Sequence, residues 1–155
     1  MIKRRRMQNK TDYKLRLNLL KSDKMRLVVR KSNRYFIAQI VQTDIAQDKV
    51  LLTVSSFDLI ALGWPNEKKG SLKSRPAAYL TGYLIGKKSK SFVKNAIVDM
   101  GMNRNIHSSR IFALLKGVKE AGLNIALDEK VLPSVELLIT KNITQNTIDK
   151  IKEKI

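Results

Sequence analysis

The 155-residue chain contains no cysteine, a single histidine and no long run of apolar residues. The absence of cysteine excludes disulfide bonds and thiolate chemistry, and it fits a reducing compartment such as the cytosol. A membrane-spanning helix needs about 20 consecutive apolar residues. A secretory signal needs an apolar segment after its basic start, whereas residues 7–18 are mostly polar. We therefore expect a cytosolic protein that does not span a membrane.

Acidic residues are also scarce, with 13 against 31 lysines and arginines, so the formal net charge is +18. The first 42 residues hold thirteen basic residues and only Asp12 and Asp23, which gives +11, whereas residues 123–155 are balanced at five of each sign. Such concentrated charge commonly meets a phosphate backbone. The alternatives are an anionic membrane surface or a merely solvated face. Because 43% of the residues are hydrophobic, the chain can also bury a core.

Two segments rich in β-branched and aromatic residues, 25–31 and 34–41, predict a β-hairpin. Asn33 tolerates positive φ, so we predict a two-residue turn at Ser32-Asn33. Arg30 would then pair with Tyr35, and alternation would divide the side chains between two faces. The apolar face would carry Met25, Leu27, Val29, Phe36, Ala38 and Ile40. The opposite face would carry Arg26, Arg30, Tyr35 and Gln39.

Further along the chain the pattern predicts a third strand at 49–55, reached through a polar loop at 44–48, and a short helix at 57–62. A lysine-bearing loop at 66–74 precedes a helix that Pro76 begins at its first position and that runs to about residue 91. Within this helix Ala78, Gly82 and Gly86 form a smooth stripe for close packing, not a phosphate-binding loop.

A buried strand is predicted at 96–100. A helix is predicted to follow it, with Ser108 or Ser109 as its N-terminal cap and Gly122 at its end. Thr147 would begin a final helix. The resulting fold class is α/β: a two-layer sandwich with a three-stranded meander followed by helix-strand-helix. We expect a basic N-terminal arm at 1–24 that is largely extended, with at most a short helix at its leucines. An α/β core would follow at 25–125 and a C-terminal tail at 126–155.

Candidate catalytic residues are few. His107 has no cysteine to activate, and we interpret it as a loop residue rather than part of a Ser-His-Asp set. Asp99 lies in an apolar strand, where an unpaired carboxylate is costly. It could be a metal ligand of a nuclease or RNA-modifying enzyme, or an acceptor for loop N–H groups. Two-metal chemistry needs several carboxylates, and we interpret the other aspartates near strand ends as turn or cap residues: Asp44, Asp48 and Asp58. No metal, cofactor, small-molecule substrate or catalytic activity is therefore expected.

The RNA-binding signal is distributed over the arm and the hairpin. Arginine pairs bidentately with phosphate and stacks on bases, whereas lysine acts as a point charge. Tyr13 and Tyr35 could stack on an unpaired base, although cross-strand packing explains Tyr35 equally well. The lysine-bearing loop, beside Arg75, offers a second contact with a backbone. The predicted RNA-binding residues are Lys3, Arg4, Arg5, Arg6, Lys10, Tyr13, Arg16, Lys21, Arg26, Arg30, Lys31, Ser32, Asn33, Arg34, Lys68, Lys69 and Lys73.

Several ordered strings also resemble a known family. Lys10-Thr-Asp-Tyr-Lys-Leu-Arg-Leu-Asn-Leu-Leu-Lys21 and Arg26-Leu-Val-Val-Arg-Lys-Ser-Asn33 resemble the 5S ribosomal RNA-binding protein of the large subunit, universal family eighteen. Pro76-Ala-Ala-Tyr-Leu-Thr-Gly82 and Ser109-Arg-Ile-Phe112 resemble its archaeal and eukaryotic branch, and the length is similar to archaeal members. The similarity runs from about Lys10 to Ser134.

The resemblance implies a structural ribosomal protein without catalysis. It implies binding of 5S rRNA and of the large rRNA in the central protuberance, beside ribosomal protein number five. The matching positions are Lys10, Tyr13, Arg16, Arg26, Arg30, Lys31, Ser32, Asn33 and Arg34. This chain departs from the family pattern at Arg75, where a small hydroxyl residue is usual, at Ala126-Leu-Asp128, and in the apolar segment 135–139.

Overall fold

A five-stranded sheet in the order β3-β2-β1-β4-β5 forms one layer of the protein. The computed structural model describes residues 3–44, 47–139 and 143–155. The strands are β1 (Arg26–Lys31), β2 (Phe36–Asp44), β3 (Gln47–Ser55), β4 (Asn95–Asp99) and β5 (Asn124–Ile125). β1, β2 and β3 form an antiparallel meander, and β4 adds in parallel to β1 on one side and to β5 on the other. The predicted α/β class and meander are confirmed.

The helices begin with two short ones in the arm. They are α1 (Arg4–Met7), α2 (Tyr13–Leu20), α3 (Asp58–Ala61), α4 (Arg75–Ser89), α5 (Arg110–Glu120), α6 (Val135–Leu138) and α7 (Gln145–Lys154), with 3₁₀ turns at Asn66–Ser71 and Glu129–Val131. No helix among the described residues is long and apolar enough to cross a membrane. The arm is more helical than the predicted extended segment, because Asp12 caps α2 by accepting hydrogen bonds from the Lys14 and Leu15 N–H groups.

The predicted hairpin forms, but the predicted turn and register are wrong. Lys31 pairs with Phe36 and Arg30 with Ile37, so four residues connect the strands instead of two. The Ser32 hydroxyl closes this connection, since its Oγ accepts from the Arg34 and Tyr35 N–H groups. Asn33 does not adopt positive φ. Because the register moves by two residues, each side chain keeps its predicted face: Leu27, Val29, Phe36, Ala38 and Ile40 are fully buried.

Other boundaries also differ from the prediction. Asp44 pairs with Gln47, so strands occupy part of the predicted loop at 44–48, whose residues 45–46 lie outside the described residues. Arg75, not Pro76, is the first residue of α4, and Ser74 occupies the cap position. β5 was not predicted, because two residues carry too little periodicity to be recognised.

The second layer is built on the close packing of α4 against α5. A Cβ on Gly82 would lie 1.9 Å from the carbonyl oxygen of Leu114, and one on Gly117 would lie 2.1 Å from that of Tyr79. These clashes show that the two backbones are in direct contact and that only glycine fits at both positions. The predicted small-residue stripe is therefore confirmed as a packing surface.

The C-terminal segment joins the same core. Leu138, Ile143, Ile148 and Ile151 are buried with the residues of the sheet and of α4 and α5. The Tyr79 hydroxyl on α4 donates a hydrogen bond to Glu120, and the Lys152 ammonium of α7 lies 4.8 Å from the centre of the Tyr79 ring. α7 is thus held against α4 by apolar burial and a cation–π contact.

Candidate RNA-binding surface

The sheet face opposite α4 and α5 contains a network of arginines and aspartates. Arg26 donates from Nη2 to Asp48 Oδ1 at 2.6 Å and from Nη1 to Asp99 Oδ2 at 3.3 Å. Arg26 Nη2 also lies 2.9 Å from the Thr43 hydroxyl. Although this face is directed away from the helices, the Arg26 side chain is only 2% exposed. Such a buried cation is tolerated because two carboxylates compensate its charge.

Asp99 is the acceptor at the end of β4. Its Oδ1 accepts from the Gly101 N–H at 2.8 Å and from Arg30 Nη2 at 3.1 Å, and its carbonyl oxygen accepts from Arg30 Nη1 at 2.9 Å. These contacts agree with the interpretation of Asp99 as an acceptor for loop N–H groups, and they add two arginines that the sequence did not reveal. No group of three or more potential metal ligands occurs in the described part of the chain.

Asp48 connects this network to the arm. Its Oδ2 accepts from Arg16 Nη2 of α2 at 2.8 Å while its Oδ1 binds Arg26. Partial burial acts to raise the pKa of the Asp48 carboxyl, but hydrogen bonds from Arg16, Arg26 and Thr43 outweigh it and hold the pKa below its usual value. The interpretation of Asp48 as a turn residue is therefore wrong. It is a β3 residue that holds the arm against the sheet.

A groove of about 510 Å³ lies between the docked arm and the ends of β1 and β4. Arg5, Lys10 and Arg16 line it from the arm, and Arg30 and the segment after Asp99 line it from the sheet. Arg5 is positioned by a hydrogen bond from its Nε to the Thr11 hydroxyl at 2.9 Å. The fold thus brings together basic residues that the sequence separates by up to 25 positions.

The predicted RNA-binding residues differ in their exposure and in their partners. Arg26 presents no surface to a phosphate, so the prediction that it contacts RNA does not fit this structure. Arg16 and Arg30 are half-exposed and already bound to aspartates. The exposed cations of the set are Lys3, Arg4, Arg5, Arg6, Lys10, Lys21, Lys31, Arg34 and Lys69. None of these exposed cations has an ion pair with a carboxylate in the ranges described.

The remaining predicted residues are positioned by local contacts. The Lys3 ammonium lies 4.7 Å from the centre of the Tyr13 ring. Tyr35 lies in the connection between β1 and β2, where its ring packs against that of Phe57 with centroids 4.6 Å apart. Phe57 is 45% exposed, so this aromatic pair remains accessible to a stacking base. Lys68 and Lys73 are half-buried in the segment before α4.

Comparisons with known proteins show the family of the chain. Residues 1–94 match the model of the family described as ribosomal large subunit proteins 60S L5 and 50S L18. The chain is similar to the large ribosomal subunit protein uL18 of Methanothermobacter thermautotrophicus, with 41% identity over 131 residues, which are 84% of this chain and 66% of the relative. It is also similar to the protein of that name from Methanoregula boonei, with 40% identity over 136 residues, which are 87% of this chain and 76% of the relative.

The family match extends over more than half of the chain and includes the arm, the hairpin and the whole of α4. Proteins of this family are located in the large ribosomal subunit in the cytoplasm and are not enzymes. The alternative of a nuclease that uses Asp99 is therefore not retained. The chain belongs to the family of large-subunit ribosomal proteins 60S L5 and 50S L18.

Proposed function

We propose that this protein binds 5S rRNA and helps to attach it to the large rRNA in the central protuberance, next to ribosomal protein number five. The observation that carries the proposal is the exposed cationic surface on the docked arm and the hairpin end. It comprises Lys3–Arg6, Lys10, Lys21, Lys31 and Arg34. None of these eight cations forms an ion pair with a carboxylate in the described part of the chain.

The arginine–aspartate network supports this role indirectly. Arg16, Arg26 and Arg30 bind Asp48 and Asp99, so the arm and the end of β1 are held in a fixed relation. A positioned set of cations releases counterions from RNA without first losing the conformational entropy of a free arm. Specificity for one RNA then requires a matching arrangement of phosphates, and the Tyr35–Phe57 pair can add stacking on a base.

A competition experiment tests the function. The purified protein is bound to labelled 5S rRNA and challenged either with unlabelled 5S rRNA or with an unstructured RNA of the same length and charge. We expect the 5S rRNA to compete at least about tenfold better, because a folded RNA presents phosphates in a fixed pattern. Equal competition by the two RNAs would show charge attraction alone and would contradict the proposal.

The ribosomal location of the binding is tested in a lysate. After sedimentation at moderate salt we expect the protein in the large-subunit fraction, and we expect 5S rRNA in the material that an affinity tag recovers with it. If the protein sediments with the large subunit but only other rRNA is recovered with it, the protein is ribosomal and the proposal that it binds 5S rRNA is contradicted.

A further inference from the structure

A second basic cleft lies beyond the hairpin end, where α4 and α5 begin. Its volume is about 690 Å³, and the twelve residues that line it include no aspartate or glutamate. Five of them are cations: Lys31, Lys73, Arg75, Arg104 and Arg110. None of these five forms an ion pair with a carboxylate in the described part of the chain. The charge pattern of the sequence did not predict Arg104 or Arg110 as RNA-binding residues, because they are isolated from other basic residues along the chain.

The two helices direct their N-termini to this cleft. Gly82 of α4 contacts Leu114 of α5, and Gly86, one turn later, contacts Val118. Since later residues of one helix meet later residues of the other, the helices run in the same direction. Their N-terminal N–H groups, which carry partial positive charge, therefore lie at the same end of the layer.

Arginine is the first residue of both helices, Arg75 in α4 and Arg110 in α5, and neither helix has an acidic residue in its first turn. A cation at a helix N-terminus opposes the helix dipole and lowers the stability of the free protein. α2 shows the opposite arrangement, because Asp12 caps its N-terminus. Two parallel helices therefore begin with arginine at one cleft, and no aspartate or glutamate lines that cleft to compensate their charge.

The cap residues provide an independent observation. Ser109 lines the cleft, and its Oγ is buried and has no hydrogen-bond partner. Ser74, the cap of α4, lies between the lining residues Lys73 and Arg75, and its Oγ is also buried without a partner. A cap serine normally accepts a hydrogen bond from its own helix, and an unpaired buried hydroxyl is costly. The Ser109 hydroxyl, in the lining of the cleft, therefore makes no hydrogen bond that an anion would have to replace.

We infer that this cleft binds phosphates of an RNA backbone. The inference rests on the proposed RNA-binding function and extends it to a surface that neither the arm nor the lysine-bearing loop alone provides. Lys31 belongs both to the hairpin end and to the cleft, so the two surfaces are continuous. The five cations carry more positive charge than one phosphate diester can neutralise. The successive phosphates of an RNA chain therefore match this charge better than a single small anion does.

The test uses the full-length protein with Arg75→Gln and Arg110→Gln combined. Because two cations leave helix N-termini, we expect the melting temperature of the free protein to rise by about 2 to 5 °C. We expect the affinity for 5S rRNA to fall at least about tenfold. If the large rRNA occupies the cleft instead, the affinity for the large rRNA should fall by that factor. The slope of log affinity against log salt should decrease in magnitude by roughly 1 to 2.

The matched control is Lys87→Gln combined with Lys88→Gln, which removes the same charge from the last turn of α4. There the lysines favour the dipole, so the control should not raise the melting temperature and should leave the salt slope unchanged. An Arg75/Arg110 variant that behaves like this control in both measurements would overturn the inference.

Inorganic phosphate separates a small-anion site from an RNA site. At equal ionic strength, phosphate should stabilise the unaltered protein more than chloride does, and the Arg75/Arg110 variant should lose this difference. If the variant loses the phosphate effect but binds both RNAs with an unchanged slope, the cleft holds small anions only, and the RNA inference fails. A wild-type protein that does not prefer 5S rRNA refutes the proposed function instead.

Discussion

Arg26 and Arg34 lie eight positions apart in the same hairpin and have opposite environments. Arg26 is buried and bound by Asp48 and Asp99, whereas Arg34 is exposed at the connection between β1 and β2. The same side chain therefore stabilises the surface in one position and is available to a partner in the other. A count of basic residues overestimates the binding surface, because the carboxylates that occupy Arg26 come from distant parts of the chain.

The largest effect on stability is expected from Arg26→Met. Removing one partner of a buried ion pair costs roughly 3–5 kcal/mol. Here we expect the free energy of unfolding in urea to fall by about 2 to 3 kcal/mol, because Asp48 is partly exposed and Asp99 keeps Arg30. The control Arg34→Met should leave the urea midpoint nearly unchanged and weaken 5S rRNA binding. The opposite pattern would reverse the roles assigned to the two arginines.

Arg4, Arg5 and Arg6 extend the comparison to the arm. Replacing all three with alanine should weaken 5S rRNA binding and reduce the magnitude of the salt slope by up to about three, with little change in stability because all three are exposed. Lys88→Ala, Lys90→Ala and Lys94→Ala together remove the same charge from an exposed region outside the proposed surface. If both triple variants lower the slope equally, the arm has no special part in binding.

Ser32 and Asn33 distinguish positioning from contact at the hairpin end. Ser32→Ala removes two accepted hydrogen bonds and one donated to the Tyr35 carbonyl oxygen. It should lower the free energy of unfolding by about 1 kcal/mol and weaken 5S rRNA binding through a misplaced Arg34. Asn33→Ala should leave stability nearly unchanged, since Asn33 is exposed and does not use positive φ. A larger loss of stability from Asn33→Ala would refute the serine-closed turn.

The smallest effect is the pH dependence of stability from Asp48. Its pKa in the folded protein lies below its ordinary value of 3.8, so its contribution is fully present above that pH and is lost as the pH falls through the lowered folded value. Urea unfolding of the wild type and of Asp48→Asn should therefore differ most at neutral pH, and the difference should shrink in strong acid. A difference that stays constant below pH 3.8 would contradict the ion-pair assignment.

The sequence predicted the features that depend on residues close together in the chain. Alternation placed Leu27 and Val29 on the buried face and Arg26 on the other, and the small-residue stripe predicted the packing of α4. The turn was mispredicted because the Ser32 hydroxyl offers hydrogen bonds that compete with a two-residue turn. The network was not predictable from one sequence, since Arg26 and Asp99 are 73 positions apart. The basic cleft at α4 and α5 depends in the same way on tertiary packing.

The salt dependence of 5S rRNA binding tests the central claim most directly. If about eight exposed cations of the arm and hairpin end each meet a phosphate, log affinity should fall with log salt at a slope of magnitude roughly 5 to 7. The measurement is a titration of labelled 5S rRNA at several salt concentrations. A slope within that range supports a cationic surface held in place by the Arg26 network, and a slope near one would contradict it.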